Sequence, residues 1–209
     1  MIICAHRGGA ALAEENTRAA FEAARDCGCP WIETDVRVTA DGVAVLHHDP
    51  RIDGKNVFEL KADELPERVL TLDALLTDFG EAFHFDIELK TRHGFDPAVA
   101  LVKQHGLEER VMLTSFDHRA LAHSIRNNRH LAHGALVASR PRSVASLLYG
   151  LPGLAWIAPH WERLDRDLIE EAHALGLKVA TWTVPPEEVE RLRTLNVDAL
   201  IVDDPRPLL

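Results

Sequence analysis

The fold this sequence predicts is an α/β TIM barrel, (β/α)8, built as one domain over residues 1–209, with a short hairpin insertion after the second strand. Three observations predict it. Eight short runs rich in Val, Ile, Trp and Phe recur along the chain, nearly continuous in apolar character. Strands covered on both faces read this way. Segments with helical spacing separate the runs, which favours right-handed crossovers in a parallel sheet. No Gly-rich dinucleotide fingerprint follows a strand, which weakens the alternative of an open doubly wound sheet. Closure explains the number eight, and the chain is near the lower length limit of the barrel, roughly 200 residues.

The strand runs are Ile2–Ala5, Trp31–Val36, His84–Glu88, Val111–Ser115, His133–Val137, Ala155–Ala158, Lys178–Trp182 and Ala199–Val202. The first helix, Thr17–Cys27, places Ala20, Phe21 and Ala24 on one face, with Asn16 or Thr17 as N-cap. Leu72–Phe79 and Pro97–His105 follow the next two strands, and Asp117 caps a helix through Arg126. Pro141 suits the first turn of a helix to Tyr149. Asp165 caps a helix carrying Leu168, Ile169, Ala172 and Leu175, stopped by Gly176. Pro186 starts the last helix, with Val189, Leu192 and Leu195 inward. Asp41-Gly42 is a hairpin signal before a short strand at Val43–His47, and the polar Pro50–Pro66 stretch reads as an irregular excursion.

Hydrophobic residues make up 46% of the chain, enough for a core rather than disorder. The formal net charge of −10 disfavours nucleic acid and anionic membrane surfaces as partners. A small anionic substrate then needs a local cation or basic cluster. Cys4, Cys27 and Cys29 form no disulfide framework and read as free thiols in a reducing compartment. No stretch approaches the ~18 apolar residues of a membrane span, and no basic segment with a long apolar run begins the chain. The expectation is a cytoplasmic protein without stable membrane association, its oligomeric state open, with a homodimer among the options.

Polar residues gather where strands end: His6-Arg7-Gly8-Gly9, His47-His48-Asp49, Glu88-Leu89-Lys90, Ser115-Phe116-Asp117 and Trp182-Thr183. In a TIM barrel these converge on the C-terminal rim, where such enzymes keep their active sites. Glu33 and Asp35, two apart on one strand, share a face. If that face is the interior, a hard divalent cation relieves their repulsion, with Glu88 as a third oxygen ligand. The competing reading is salt bridging to Arg7 or Lys90. His6 and His48 can form an acid–base pair, and Arg7 and Lys90 can hold phosphate oxygens. His47 should face away from His48, the other histidines read as surface or structural, and His160 is a weaker rim candidate.

Together, Ala5-His6-Arg7-Gly8, Glu15-Asn16-Thr17, Glu33-Thr34-Asp35-Val36, His48-Asp49 and Glu88-Leu89-Lys90 resemble the glycerophosphodiester phosphodiesterase family. The resemblance continues through Thr114-Ser115-Phe116, Trp182-Thr183-Val184 and Asp198 to Pro205, and so covers nearly the whole chain in order. It implies hydrolysis of a small-molecule glycerophosphodiester to glycerol 3-phosphate and an alcohol. It implies His6 and His48 as catalysts, one Mg²⁺ or Ca²⁺ on Glu33, Asp35 and Glu88, and phosphate contacts from Arg7 and Lys90. It implies supporting roles for Glu15 and Asn16 and a substrate-packing role for Trp182. The chain departs from the family in a shorter segment after Asp49, and in Pro185-Pro186 where Asn is usual. Rival readings are a lysophospholipase D or sphingomyelinase D-like enzyme, a non-catalytic phosphodiester-binding barrel, and a metal-dependent sugar isomerase.

Overall fold

A computed structural model describes residues 1–209. Eight parallel strands form the barrel: β1 (Ile2–Ala5), β2 (Trp31–Val38), β6 (His84–Leu89), β7 (Val111–Ser115), β8 (Ala132–Val137), β9 (Trp156–Pro159), β10 (Lys178–Thr181) and β11 (Ala199–Val202). Each pairs with its neighbours in that order, and β1 pairs with both β11 and β2, which closes the ring. Outside it, β3 (Ala44–Leu46) runs antiparallel to the end of β2.

Seven α-helices pack outside the barrel: α1 (Arg18–Asp26), α2 (Leu72–Phe79), α3 (Phe95–Gln104), α4 (His118–Asn127), α5 (Val144–Gly150), α6 (Arg166–Ala174) and α7 (Val189–Thr194). After β11 the chain makes only a 3-10 turn, Arg206–Leu208. Thr17, Thr71, Asp117, Ser143 and Asp165 each accept a backbone N–H of the helix they precede. Such caps satisfy amides that the helix itself cannot. The main core, 46 buried residues, lies between strands and helices, while Met112, Leu136, Trp156, Ala158, Ala180 and Ala199 fill the barrel.

Several local expectations are corrected. The fifth helix starts after Ser143, whose hydroxyl oxygen accepts Ser146 N–H, so Pro141 lies in the preceding loop. The third begins at Phe95, before Pro97, because a 3-10 turn at Arg92–Gly94 runs straight into it. Pro186 opens a 3-10 turn rather than the helix, which begins at Val189. The Pro50–Pro66 excursion is ordered in part. It contains a tight hairpin, β4 (Arg51–Ile52) and β5 (Lys55–Asn56), turned by Asp53-Gly54 in left-handed conformations. Ile52, Val57 and Leu60 pin it against Val45. Those apolar residues follow no regular period in sequence, so neither strand nor helix was signalled.

Candidate active site

Register builds the site. In the parallel pairing of β2 with β6, Glu33 stands beside Asp86 and Asp35 beside Glu88. Neighbours in such a ladder share a face, so four carboxyl groups crowd one side of two strands. Burial pushes Glu33 well above the ordinary carboxylate range, and Asp35, Glu88 and Asp86 add to the rise. Burial also raises Glu88, against the pull of Lys90. Asp86 rises to about 7, mainly through burial, although the Thr114 hydroxyl donates to its Oδ1 at 2.6 Å. For Asp35, burial is outweighed by Lys90, Arg7 and Asn16, and its carboxyl is held below the usual range. Fixed positive charge and hydrogen bonds to the ionised form produce that order.

Asn16 holds Asp35 from outside the strand. Its backbone is left-handed, at φ 57°. Its Nδ2–H donates to Asp35 Oδ2 at 2.9 Å, while its Oδ1 accepts the Thr34 hydroxyl at 2.7 Å. Arg7, also left-handed at φ 52°, donates its backbone N–H to Glu33 Oε2 at 2.9 Å. Two strained residues side by side at the rim are the kind of cost that functional sites carry. Gly8 makes the turn possible: at φ 80°, a Cβ there would lie 2.7 Å from the Phe21 ring.

The triad expected from sequence comes together, since oxygens of Glu33, Asp35 and Glu88 lie within 4.8 Å of one another. Three buried carboxyl groups that repel one another, with oxygens this close, fit a hard divalent cation. The competing ion pairs form as well. Lys90 Nζ sits 2.8 Å from Asp35 Oδ1 and 2.6 Å from Glu88 Oε1, and Arg7 Nε sits 3.2 Å from Asp35. Arg7 Nη1 also meets both oxygens of Glu15, at 2.8 and 2.7 Å. Both rim cations are thus engaged by carboxylates.

His6 and His48 line one cavity of about 110 Å³ with Arg7, Glu33, Glu88, Lys90 and Trp182. His6 Nδ1–H donates to Asp203 Oδ1 at 2.7 Å, and its Nε2 lies 3.9 Å from Glu33. His48 Nδ1–H donates to Asp49 Oδ1 at 2.9 Å. Each ring therefore keeps Nε2 for other partners. His47 turns away, with its Nε2–H on the Arg51 carbonyl at 3.1 Å. His160 stays at the rim, in a T-shaped pair with Trp182 at 4.9 Å between centroids. Trp182 Nε1–H is fixed on the Ala158 carbonyl, and exposed Phe116 meets it edge-on at 5.4 Å. Beyond Thr183, the chain from Val184 to Pro186 forms one wall of an apolar groove of about 430 Å³ that reaches Asp203.

Asp203 and Asp86 are the site residues that motif reading missed. Asp86 stands two before Glu88, the same spacing that marked Glu33 and Asp35. Asp203 lies after the last strand, where proximity to His6 follows only from ring closure.

A closed parallel barrel carries two imidazoles over a carboxylate cluster at its C-terminal rim, and relatives specify the class of protein. Residues 6–71 and 75–206 match the model of the glycerophosphoryl diester phosphodiesterase family. A glycerophosphodiester phosphodiesterase of Caldanaerobacter subterraneus subsp. tengcongensis is 28% identical over 235 positions, covering 100% of this chain and 96% of the relative. The crystal structure of a glycerophosphodiester phosphodiesterase from Parabacteroides distasonis superposes with TM-score 0.87 at 27% identity, covering 97% and 92% of the two chains. A phosphodiesterase of Oleispira antarctica, solved with the product sn-glycerol-3-phosphate, shares the fold with TM-score 0.93 at 23% identity, covering 100% and 95%. The protein is a phosphoric diester hydrolase. It belongs to the glycerophosphoryl diester phosphodiesterase family. No helix is long and apolar enough to cross a membrane.

Proposed function

We propose that this chain hydrolyses glycerophosphodiesters to glycerol 3-phosphate and an alcohol, with His6 and His48 as the acid–base pair. One observation carries the reading. Two imidazoles, each with Nδ1 on an aspartate, line the same cavity as Glu33 and Glu88, two members of the Glu33–Asp35–Glu88 cluster.

Glu33, Asp35 and Glu88 would hold Mg²⁺ or Ca²⁺, whose charge, when bound, offsets the negative charge of the phosphoryl oxygens. The remaining steps fall to side chains. One imidazole takes the proton from the glycerol 2-hydroxyl, and that oxygen attacks phosphorus. The other protonates the departing alcohol oxygen, and water then opens the cyclic phosphate. A nucleophile already tethered to its target has little orientational entropy to lose. Arg7 and Lys90 orient phosphate oxygens, Glu15 and Asn16 hold Arg7 and Asp35 in place, and Trp182 packs on the substrate's carbon skeleton.

The test is a glycerophosphodiester panel assayed with and without chelator, beside His6→Ala and His48→Ala. Activity should vanish in all three cases. Full turnover in either variant, or in chelator, refutes the assignment. A substrate lacking the 2-hydroxyl should be inert, and its normal cleavage would exclude the tethered attack. One feature favours a second reading, in which lipid phosphodiesters are cleaved: the apolar groove beside Thr183. Turnover of a lysophospholipid against glycerophosphoethanolamine separates the two.

A further inference from the structure

We infer that Arg37 is a positioning residue that sets the place of His48 against the barrel wall. The backbone ladder that carries the chain toward His48 ends early. In the β2–β3 pairing Val36 stands opposite Leu46, and the next backbone bond, His47 N–H to the Asp35 carbonyl at 3.0 Å, completes it. His48 follows outside any strand. Its ring is bonded to Asp49, an adjacent and exposed residue. That bond turns the ring within its own loop and moves with the loop. It cannot locate His48 relative to His6.

Arg37 supplies the missing reference. Alternation along β2 puts it on the face of Glu33 and Asp35. Its half-buried guanidinium spends two donors on one acceptor: Nε–H and Nη2–H both reach the His48 carbonyl, at 3.0 and 2.5 Å. Two donors from one rigid plane fix the direction of that carbonyl as well as its distance. The carbonyl direction sets the peptide plane after His48, and with it the angle at which the side chain leaves the backbone. The strand that presents two members of the acidic cluster therefore also anchors a catalytic imidazole, so both are registered to one rigid element. A displacement of about 1 Å in such a group costs roughly 100-fold in rate.

The inference rests on the reading of His48 as catalytic. Arg37→Lys, Arg37→Gln and Arg37→Ala should fold, and the first two should show kcat reduced about 10- to 100-fold with KM within about two-fold of the native value. Mg²⁺ affinity, measured by calorimetry, should stay unchanged in both. Millimolar guanidinium should restore part of the rate to Arg37→Ala but none to His48→Ala. The His48 Cε1–H resonance should shift in Arg37→Lys while that of His6 stays in place. Native kcat in folded Arg37→Lys and Arg37→Gln overturns the inference, as does a raised KM at unchanged kcat, which would make Arg37 a substrate contact. If Arg37→Ala fails to fold, the kcat and the resonances of Arg37→Lys decide alone. Activity retained in His48→Ala removes the underlying reading. An inactive His48→Ala beside fully active Arg37 variants removes this inference only.

Discussion

His6 Nδ1 lies 2.7 Å from Asp203 Oδ1, across 197 positions of chain. The two residues follow β1 and β11, strands that pair in register from Ile2–Ala199 to Ala5–Val202. Asp203 is held ionised below the usual carboxylate range by that hydrogen bond. A carboxylate on Nδ1 fixes the tautomer and leaves Nε2 available for proton transfer.

Replacing Asp203 with Asn offers an amide that can donate to Nδ1 and reverse the tautomer. Asp203→Asn should lower kcat by about 10²- to 10⁴-fold while the thermal midpoint stays within a few degrees. Steady-state kinetics with a melting curve check this, and native kcat would rule out the tautomer role.

Divalent metal should stabilise the fold, because it offsets the burial and, beyond that, the carboxylate repulsion that raise Glu33 and Glu88. At 100 times Kd the gain is about 2.7 kcal/mol. Urea titrations with Mg²⁺, with Ca²⁺ and with chelator measure it. Glu33→Gln should lose most of the increment, and an increment undiminished in that variant would place the ion elsewhere.

His133 predicts an acid-sensitive step away from the rim. Its ring is buried between Ser124, 2.9 Å from Nε2, and the Leu131 carbonyl, 3.0 Å from Nδ1. Burial lowers its pKa from 6.5 to about 4. The folded state therefore resists protonation that the unfolded chain accepts. The contribution is intact above pH 6.5 and is lost as pH falls toward 4, up to about 3 kcal/mol. Unfolding free energies at pH 7.5, 5.5 and 4 should show this slope, and His133→Asn should flatten it. Parallel slopes in the two proteins would exclude His133 as the source.

Gly8→Ala should destabilise by about 2–4 kcal/mol, from the left-handed backbone and from the Phe21 ring 2.7 Å from the new Cβ. The loss should also appear as reduced kcat, since His6 and Arg7 precede that turn. Denaturant unfolding measures the first effect, and a loss under 0.5 kcal/mol would mean that the turn relaxes freely.

The eight barrel strands and seven helices could be read from sequence because each carries a local signal. Buried runs such as Ile2–Ala5 and Ala199–Val202 are apolar throughout, and Thr17, Asp117 and Asp165 announce the helices that they cap. The excursion after Asp49 carried no such period, and its hairpin is held by scattered contacts to Val45. The site was readable where its chemistry is written in short motifs, as with Glu33, Asp35 and Glu88.

The sequence by itself determined the alternation of strands and helices, the acid pair on β2 and the histidines at strand ends, because period and spacing are local properties. Only the tertiary structure decided that Asp203 reaches His6, that Asp86 joins the carboxylates and that Arg37 holds the His48 carbonyl. Those contacts depend on ring closure, on the register of β2 against β6 and on where a ladder stops. The first two join residues far apart in the chain, and the third, though Arg37 and His48 are only 11 positions apart, depends on where the β2–β3 ladder stops, which no periodicity of the sequence encodes.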